Sequence, residues 1–461
     1  MEGRDVANGK LAQRNAHRTQ GRESVPTNLE RVGYKAKHNK EEKFTNLMCH
    51  IKVPLLRQAY FDLRKNAAPG IDGVTWQEYG EELDARLLDL QDRVHRGSYH
   101  PQPVRRVHIP KGDGRTRPLG IPTLEDKLLQ QAVRMVLEPI YESMFMGFSY
   151  GFRPGRSPHR ALDALAVAIS RKKVNWILDA DIRAFFDTVD HAWMQRFIEH
   201  RIGDRRLVRL LMKWLKAGVV EEAELHDVEA GTPQGGVISP LLANIYLHYV
   251  FDLWVHAWRK RHARADVYVV RYADDTVLGF KDGRDAQAMR KALRERFAKF
   301  GLELHRDKTR TLAFGKYAWD RAERRGKKPE TFDFLGFTHI CTRDKRGWFQ
   351  LLRRTSRKKR QAKLTELRQE IRRRRHAPLA ETHLWLSSVL TGHYNYYGVH
   401  GNIRGMRTVR AALKYAWYRQ LSRRSQRAQL TVADMKRLNR RFPLPKPTLV
   451  HPWPEQRFGS P

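Results

Sequence analysis

The chain has 461 residues, enough for two or three domains with separate cores, and 41% of them are hydrophobic, which excludes a wholly disordered protein. No run approaches the roughly 20 apolar residues of a membrane span. Cys49 and Cys341 are the only cysteines, so neither a disulfide framework nor a Cys-rich zinc site is expected. The formal net charge of +38 predicts a polyanionic partner, because basic side chains displace the counterions that surround phosphates.

The positive charge is concentrated near the C-terminus. Residues 351–461 contain 26 Lys plus Arg against 5 Asp plus Glu. A generally basic, solvated surface would spread the charge along the chain, whereas this asymmetry favours a dedicated nucleic-acid surface.

In chain order, residues 1–43 are polar and basic without a hydrophobic period, and they predict a flexible arm. Residues 44–63 carry apolar side chains at helical spacing. Residues 104–109 and 117–121 then predict two strands joined by a Gly-Asp-Gly turn, and residues 124–145 predict a long helix. Strands and helices alternate from there to residue 337, which predicts a mixed α/β region.

Beyond residue 350 the pattern becomes helical. Residues 353–375 predict a very basic amphipathic helix, residues 384–397 an aromatic-rich helix and residues 406–421 a helix with one apolar face. Pro378 separates the first helix from the second. Five prolines between residues 443 and 454 predict a tail that runs extended along another surface.

Two acidic motifs stand at predicted strand ends. Asp274 and Asp275 lie between two apolar runs, so a tight hairpin would hold them at the tip of two buried strands. Asp181 ends another apolar run upstream. An isolated Asp-Asp turn is most often a solvated turn, but two such motifs together favour a divalent-metal site, because hard cations prefer carboxylate oxygens on a rigid support.

A series of motifs in one register resembles the group II intron-encoded reverse transcriptases and maturases, specifically the compact bacterial lineage without an endonuclease domain. Residues 272–275 (YADD) and 181–187 (DIRAFFD) are similar to its catalytic motifs. The resemblance covers roughly residues 44–400. Further matches are residues 69–76 (PGIDGVTW), 117–122 (RPLGIP), 149–156 (SYGFRPGR), 231–246 (GTPQGGVISPLLANIY), 301–304 (GLEL), 308–309 (KT), 332–337 (FDFLGF) and 392–398 (GHYNYYG).

The resemblance implies an α/β right-hand polymerase, with fingers and palm of the reverse transcriptase type, followed by an all-α thumb/maturase domain. The expected domains are a flexible basic arm (1–43), an N-terminal extension with the fingers (44–175), a palm with the catalytic carboxylates (176–345), a helical thumb/maturase domain (346–430) and a Pro-rich tail (431–461).

The activity implied is that of an RNA-directed DNA polymerase, in which a primer 3′-hydroxyl attacks the α-phosphate of a deoxynucleoside triphosphate. Asp181, Asp274 and Asp275 are expected to hold two Mg²⁺ ions, with Mn²⁺ as a substitute. Asp187 lies six residues beyond Asp181 and is less suited as a metal ligand. A structural role, such as capping a helix, explains Asp187 as well as a catalytic role does.

The family pattern also assigns the nucleotide pocket. The expected members are Lys111, Arg117, Phe186, Gln234 and Lys308. The basic side chains would bind the triphosphate, Gln234 lies in a Gly-rich loop, and Phe186 would reject a ribose 2′-hydroxyl. Each has an ordinary alternative, since hairpin and surface cations are usually solvated and a phenylalanine usually packs in a core.

The helical region is expected to grip the template–primer duplex through its backbone. The candidate contacts are Arg353, Arg354, Lys358, Lys359, Arg372, Arg373, Tyr394 and Tyr396. About half of the aromatic residues in this region are expected to pack within the helix bundle instead.

The partners implied are group II intron RNA, an RNA template with a DNA primer, deoxynucleoside triphosphates and target DNA, without a membrane. The expected function is intron splicing and mobility by target-primed or nascent-strand-primed reverse transcription, in the bacterial cytoplasm at the nucleoid. No Cys-x-x-Cys occurs, so no endonuclease activity is expected. The alternatives are a reverse transcriptase recruited to host defence or repair, and a catalytically silent splicing factor, which the intact aspartates disfavour.

Overall fold

The computed structural model describes residues 25–110, 116–221, 224–226, 231, 235–425 and 430–454. The first helices are α1 (Val25–His38), α2 (Val53–Asp62), α3 (Trp76–Glu81), α4 (Leu83–Arg96) and α5 (Leu124–Glu142). Both α1 and α2 pack against α5. The apolar side chains of α5 recur at helical spacing, so Leu128, Ala132 and Val136 are all fully buried.

The strands of the described residues belong to three sheets. In chain order these strands are β1 (Val104–Pro110), β2 (Thr116–Ile121), β3 (Trp176–Ala180), β4 (Val219–Glu221), β5 (Glu224–His226), β6 (Val267–Tyr272), β7 (Asp275–Phe280), β8 (Arg310–Ala313), β9 (Thr331–Phe334), β10 (Phe337–Arg343) and β11 (Phe349–Thr355). We name them the peripheral sheet (order β2-β1-β4-β5), the central sheet (β6-β7-β3-β8) and the hairpin sheet (β11-β10-β9). Neighbouring strands are antiparallel except β1 and β4.

Helices cover both faces of the central sheet. Along the chain, the helices that follow β2 and precede β9 are α6 (Pro158–Arg171), α7 (His191–Glu199), α8 (Arg205–Leu215), α9 (Ser239–Leu247), α10 (Leu253–Arg261), α11 (Gly283–Ala298) and α12 (Ala318–Glu323). Leu178 and Leu278 pack with α9 and α11 in one core, which we call the main core. Ile177 and Val277 pack with α6 in a second core on the other face. Because successive side chains alternate between two buried faces, these strands are apolar almost throughout.

The C-terminal part is a helical domain with a third core. Its helices are α13 (Arg357–Arg373), α14 (Leu379–Tyr397), α15 (Ile403–Leu421) and α16 (Val432–Arg441). Leu367, Leu390 and Leu413 bring α13, α14 and α15 together in this core. None of the helices in the described part of the chain is long and apolar enough to cross a membrane.

The segment after α16 runs back along the helical domain towards α6. The Pro445 carbonyl accepts a hydrogen bond from Arg410 Nε at 3.0 Å. Further on, the His451 N–H donates to the Gly398 carbonyl at 2.8 Å. The His451 ring stacks on His159 of α6 with 3.6 Å between ring centroids. The predicted extended tail therefore joins the helical domain to the core beneath the central sheet.

Three sequence-based expectations need correction. Residues 25–38 are a helix rather than part of a flexible arm, because Leu29, Val32 and Ala36 lie at helical spacing within the basic stretch and pack on the main core. Residues 349–355 are a strand, so the basic helix begins at Arg357 rather than at Arg353. The predicted tail begins with α16, whose first turn is held by a capping box between Thr431 and Asp434.

Candidate active site

The Asp-Asp hairpin forms as the sequence predicted. Strands β6 and β7 pair with Tyr272 opposite Asp275, so Ala273 and Asp274 form the turn. Ala273 has φ of 56°, a left-handed conformation that costs a non-glycine residue about 1 kcal/mol or more. The neighbouring structure must therefore hold this turn in place.

A buried network supports the turn from below. The Arg271 guanidinium is fully buried and pairs with the equally buried Asp252 carboxylate through Nε and Nη2, at 2.8 and 2.5 Å. Its Nη1 donates to the Ala273 carbonyl and to Asn244 Oδ1, each at 3.0 Å. One arginine thus links the left-handed turn to α9 and to the π-helical turn His248–Asp252. This network did not emerge from the sequence.

The segment 149–156 reaches the same turn. Asn244 Nδ2 donates to the Gly151 carbonyl at 2.8 Å. A Cβ atom at Gly151 would lie only 2.3 Å from the Ala273 nitrogen. Only glycine permits this close approach of two backbones, so the structure requires glycine at position 151, the first glycine of SYGFRPGR.

Asp181 follows β3 directly and lies beside Lys308. Its carbonyl accepts from the His305 N–H at 2.8 Å, which fixes the backbone at the strand end. The Lys308 ammonium donates to Asp181 Oδ2 at 2.8 Å, and both side chains remain partly exposed. The structure therefore brings together two residues that were predicted separately, one as a metal ligand and one as a triphosphate contact.

The two strand ends border one cleft of about 520 Å³. Alternation along β3 places Asp179 and Asp181 on the face opposite to Leu178 and Ala180, and Asp275 projects to that same face from β7. The lining residues are Asp179, Ala180, Asp181, Asp275, Asp307, Lys308, Arg310, Thr331, Phe332, Asp333, Phe334 and Leu335. Asp274 lies at the adjacent turn, next to Asp275.

Negative charge is crowded at Asp275. Its side chain keeps part of its surface accessible, yet the surrounding protein withholds enough water to raise its pKa to about 7. The charges of Asp274 and Asp181 raise the pKa further, whereas Lys308 and Lys359 lower it. The electrostatic effect of Lys359 places the start of α13 near the acidic cleft.

Asp179 is a member of the cleft that sequence reasoning missed. Burial raises its pKa to about 7 against the opposing charge of Arg310, and the charges of Asp275, Asp181 and Asp333 add to the rise. The signal was available, because period-two alternation in β3 puts Asp179 on the same face as Asp181. It was hidden because the residue sits inside an apolar run.

The carboxylates suit a divalent cation in chemistry. Within the described ranges, no three acidic, histidine or cysteine side chains converge as a ready metal-binding group. The crowding of carboxylates at Asp275 and the ammonium held by Asp181 both indicate that the cleft favours positive charge. Carboxylate oxygens are the ligands that Mg²⁺ prefers.

Phe186 lies in a short 3-10 turn, Phe185–Asp187, beyond Asp181. Phe185 is buried in the main core, whereas Phe186 is only partly buried against it. A Cβ atom at Gly231 would lie 2.8 Å from the Phe186 carbonyl, so the Gly-rich loop begins in contact with this turn. Asp187 does not cap the next helix, because Asp190 accepts from the Trp193 N–H at the start of α7.

The FLGF motif forms a second hairpin at the cleft. Leu335 and Gly336 have φ of 49° and 81° and connect β9 to β10. The Tyr396 hydroxyl donates to the Leu335 carbonyl at 2.9 Å, and the Ser356 N–H donates to the Gly336 carbonyl at 2.9 Å. The helical domain is therefore attached to the hairpin that borders the acidic residues.

The predicted contacts of the helical domain separate into three groups by their exposure. Arg354, Lys358, Lys359, Arg372 and Arg373 are exposed. Two predictions are wrong for direct nucleic-acid contact, because the side chains are buried. Arg353 pairs with Asp163 at 3.1 Å beneath the Trp453 ring, and Tyr394 packs in the third core. Tyr396 is partly buried at the cleft hairpin.

The remaining nucleotide-pocket predictions fall at the edge of what the structure describes. Lys111 and Gln234 lie outside the described residues. Arg117 occupies the second position of β2, opposite Ile109 of β1, so the predicted strands of the hairpin are confirmed. The roles of these three residues stay predictions.

Strand-end carboxylates on one face of an antiparallel sheet, beside a cation and a second hairpin, are an arrangement that suits metal-assisted nucleotidyl transfer. Residues 109–339, about half of the chain, match the family of reverse transcriptases (RNA-dependent DNA polymerases). The chain therefore belongs to the reverse transcriptase family, in the branch that includes group II intron-encoded proteins. The enzyme class and the fingers and palm fold expected from the motifs are confirmed.

Three relatives illustrate the match. Protein YkfC of Escherichia coli K12 is 38% identical over 276 residues, which are 52% of this chain and 71% of YkfC. Group II intron-encoded protein LtrA of Lactococcus lactis is 41% identical over 226 residues, or 48% of this chain but 37% of LtrA. The mitochondrial nuclear intron maturase 4 of Arabidopsis thaliana is 27% identical over 227 residues, 48% of this chain and 27% of that protein.

Proposed function

We propose that this protein extends a DNA primer on an RNA template at the acidic cleft, and that it binds its parent group II intron RNA to promote splicing and mobility. The observation that carries the proposal is the convergence of Asp181 and the Asp274-Asp275 turn at one cleft, with the turn held by a buried ion pair. Such rigidity suits chemistry that depends on positioning.

In this proposal Asp181, Asp274 and Asp275 would hold two Mg²⁺ ions, with Mn²⁺ as a substitute. The chemistry supplied at these carboxylates would be activation of the attacking hydroxyl and stabilisation of the leaving pyrophosphate. The Lys308 ammonium donates to Asp181 Oδ2 and lines the same cleft, so it would be available to pair with the triphosphate. Phe186 rejects the 2′-hydroxyl of a ribonucleotide by its bulk. The family pattern adds Lys111, Arg117 and Gln234 to the nucleotide pocket.

The helical domain would serve as thumb and maturase surface. Arg354, Lys358 and Lys359 are exposed near the cleft, and Lys359 acts electrostatically on Asp275. Arg372 and Arg373 extend the positive charge to the far end of α13. Exposed cations along one helix suit the backbone of a template–primer duplex. The proposed domains differ from the expected ones at two boundaries, because α1 joins the N-terminal extension and α16 joins the helical domain.

The proposed partners are group II intron RNA, the primed RNA template, deoxynucleoside triphosphates and target DNA, and the proposed place of action is the bacterial nucleoid.

The Asp274→Ala variant should affect polymerisation and splicing differently. We expect this variant to lose primer extension while it still accelerates splicing of the intron RNA, because splicing needs the RNA-binding surfaces and not the carboxylates. Asp266→Ala, at the opposite end of the same hairpin, is the matched control and should keep both activities. A wild-type protein that extends primers but leaves splicing unchanged would refute the maturase role.

A further inference from the structure

A second cavity, of about 630 Å³, opens at the end of the central sheet opposite to the acidic cleft. Trp176, the first residue of β3, forms part of its wall, whereas Asp181 follows the last residue of that strand. At ~3.3 Å per residue the two sites are about 17 Å apart along the strand. Lys281, Arg284 and Arg321 also line the cavity, whose size is in the range that holds small ligands.

The cavity favours an anion. Among the lining residues that the structure describes, Asp282 is the single acidic side chain. Its carboxylate accepts from the Arg284 N–H at 2.8 Å as the cap of α11, and it pairs with the Arg284 guanidinium at 3.1 Å. Lys281 and Arg321 therefore leave the cavity with positive charge that this carboxylate does not neutralise.

Helix α12 connects the cavity to a second exposed feature. The Arg321 guanidinium lies 5.2 Å from the Trp176 ring centroid and donates to the Asn175 carbonyl at 3.4 Å. The preceding residue, Asp320, pairs with Arg343 at the end of β10. Cavity, helix and the tip of the β10–β11 hairpin thus form one continuous surface.

Aromatic side chains project from this surface. Trp348 is 69% exposed and Tyr317 is 48% exposed. The hairpin tip is fixed, because the Asp344 carboxylate accepts from the N–H groups of Arg346 and Trp348 at 2.8 and 2.9 Å. A rigid turn that presents an indole to solvent is an arrangement that suits stacking on a partner.

We propose that these parts together form a distal surface that binds unpaired RNA, with one nucleotide in the cavity and neighbouring bases stacked on the exposed rings. Its principal members are Lys281, Tyr317, Arg321, Arg324, Arg325 and Trp348. Residues 316–328 contain six Lys or Arg against two Asp or Glu, which supplies phosphate contacts. A duplex keeps its bases stacked inside, so only unpaired RNA uses both the rings and the cations. The inference rests on the proposed function and adds a second RNA site to it.

The test uses the full chain with its cleft saturated by an RNA template annealed to a DNA primer. A labelled single-stranded RNA of mixed sequence is the probe. Trp348→Ala and Trp348→Phe examine stacking, and the double variant Arg324→Gln/Arg325→Gln examines phosphate contacts. The control is Arg205→Gln/Arg206→Gln, which removes the same charge from the exposed first turn of α8. Primer extension is measured for every variant.

We expect the hybrid-saturated wild type to bind the probe, and Trp348→Ala to weaken binding about tenfold, the effect of losing one base stack. Trp348→Phe should retain most of the affinity because it keeps an aromatic face. Neutralising both arginines should reduce the slope of log affinity against log salt by about 1.4, since each phosphate contact contributes ~0.7 for a single strand. The control and all variants should extend primers normally.

Loss of probe binding when the hybrid saturates the cleft would overturn the proposal, because it would mean a single RNA site. Equal affinity of Trp348→Ala and the wild type would also overturn it. So would double-stranded RNA of the same sequence that binds as tightly as the probe. Failure of the wild type to extend primers is a separate result, and it would contradict the proposed polymerase function instead.

Discussion

Replacing Asp252 with Ala should loosen the catalytic turn without touching the acidic cleft. Asp252 and Arg271 are both fully buried and make two hydrogen bonds, at 2.8 and 2.5 Å. The same arginine donates to the carbonyl of Ala273, whose φ of 56° is unfavourable for a non-glycine residue. Asp252→Ala leaves the guanidinium buried without its carboxylate.

The magnitude follows from the burial of both charges. Removing one partner of a buried ion pair costs about 3–5 kcal/mol, because the remaining charge is desolvated and unpaired. At 1.4 kcal/mol per factor of ten, opening of the β6–β7 hairpin becomes about 150- to 4,000-fold more frequent. Turnover should fall as well, since the carboxylates of Asp274 and Asp275 lose their fixed position.

Amide hydrogen exchange of residues 267–280 measures this opening directly. The third core, in α13 to α15, serves as an internal reference that should be unchanged. The double variant Asp252→Leu/Arg271→Met should recover most of the protection, because neither charge remains buried, while turnover stays low because Ala273 has lost its donor. Exchange that rises less than about tenfold in Asp252→Ala would refute the assigned role of the pair.

Three further variants test other parts of the account. Phe186→Val should raise incorporation of ribonucleotides relative to deoxynucleotides, because valine has less bulk than phenylalanine with which to exclude a 2′-hydroxyl. Gly151→Ala should lower kcat by about a hundredfold, since its Cβ would lie 2.3 Å from the Ala273 nitrogen and displace the turn. In His339→Phe, the unfolding free energy should fall less on acidification than in the wild type. Burial lowers the pKa of His339 to about 3 in the folded wild type. Between about pH 6.5 and pH 3 only the unfolded chain therefore binds this proton, which lowers the unfolding free energy by about 1.4 kcal/mol per pH unit.

Each of these variants has its own control or contradicting result. If Phe186→Val discriminates between ribonucleotides and deoxynucleotides as the wild type does, Phe186 does not reject the 2′-hydroxyl. Gly147→Ala is the match for Gly151→Ala, because a Cβ at Gly147 has no neighbour within 4 Å and kcat should not change. For His339→Phe, urea unfolding at about pH 5 and pH 7 gives the change in unfolding free energy of the variant and of the wild type. The contribution of the carboxyl groups cancels in the difference, because both proteins carry the same carboxyl groups. Parallel pH dependence would mean that His339 is protonated in the folded protein.

The sequence was informative where neighbouring residues act together. Asp274 and Asp275 are adjacent between two apolar strands, so their hairpin followed from alternation and turn chemistry alone. Asp181 was found because a charged residue ends an apolar run. The pairing of Lys308 with Asp181 joins residues 127 positions apart, and only the resemblance to a family placed the lysine near the site.

Burial and long-range pairing account for what the sequence did not reveal. Arg353 looked like one cation of a basic helix, yet it lies in a strand and pairs with Asp163, 190 positions away. The Arg271–Asp252 pair was missed for the same reason, because no local pattern shows which buried arginine meets which aspartate. The exposure of Trp348 likewise depends on the hairpin that presents it, and aromatic residues are usually assigned to a core.

The central claim is that the carboxylates at the two strand ends carry out RNA-templated DNA synthesis. Its most direct test is Mg²⁺-dependent deoxynucleotide incorporation on an RNA template with an annealed DNA primer, for the wild type, Asp274→Ala and the control Asp266→Ala. We expect incorporation by the wild type and the control, and none by Asp274→Ala although it still binds the primed template. Equal incorporation by Asp274→Ala and the wild type would contradict the claim, and so would an inactive wild type that binds the primed template tightly.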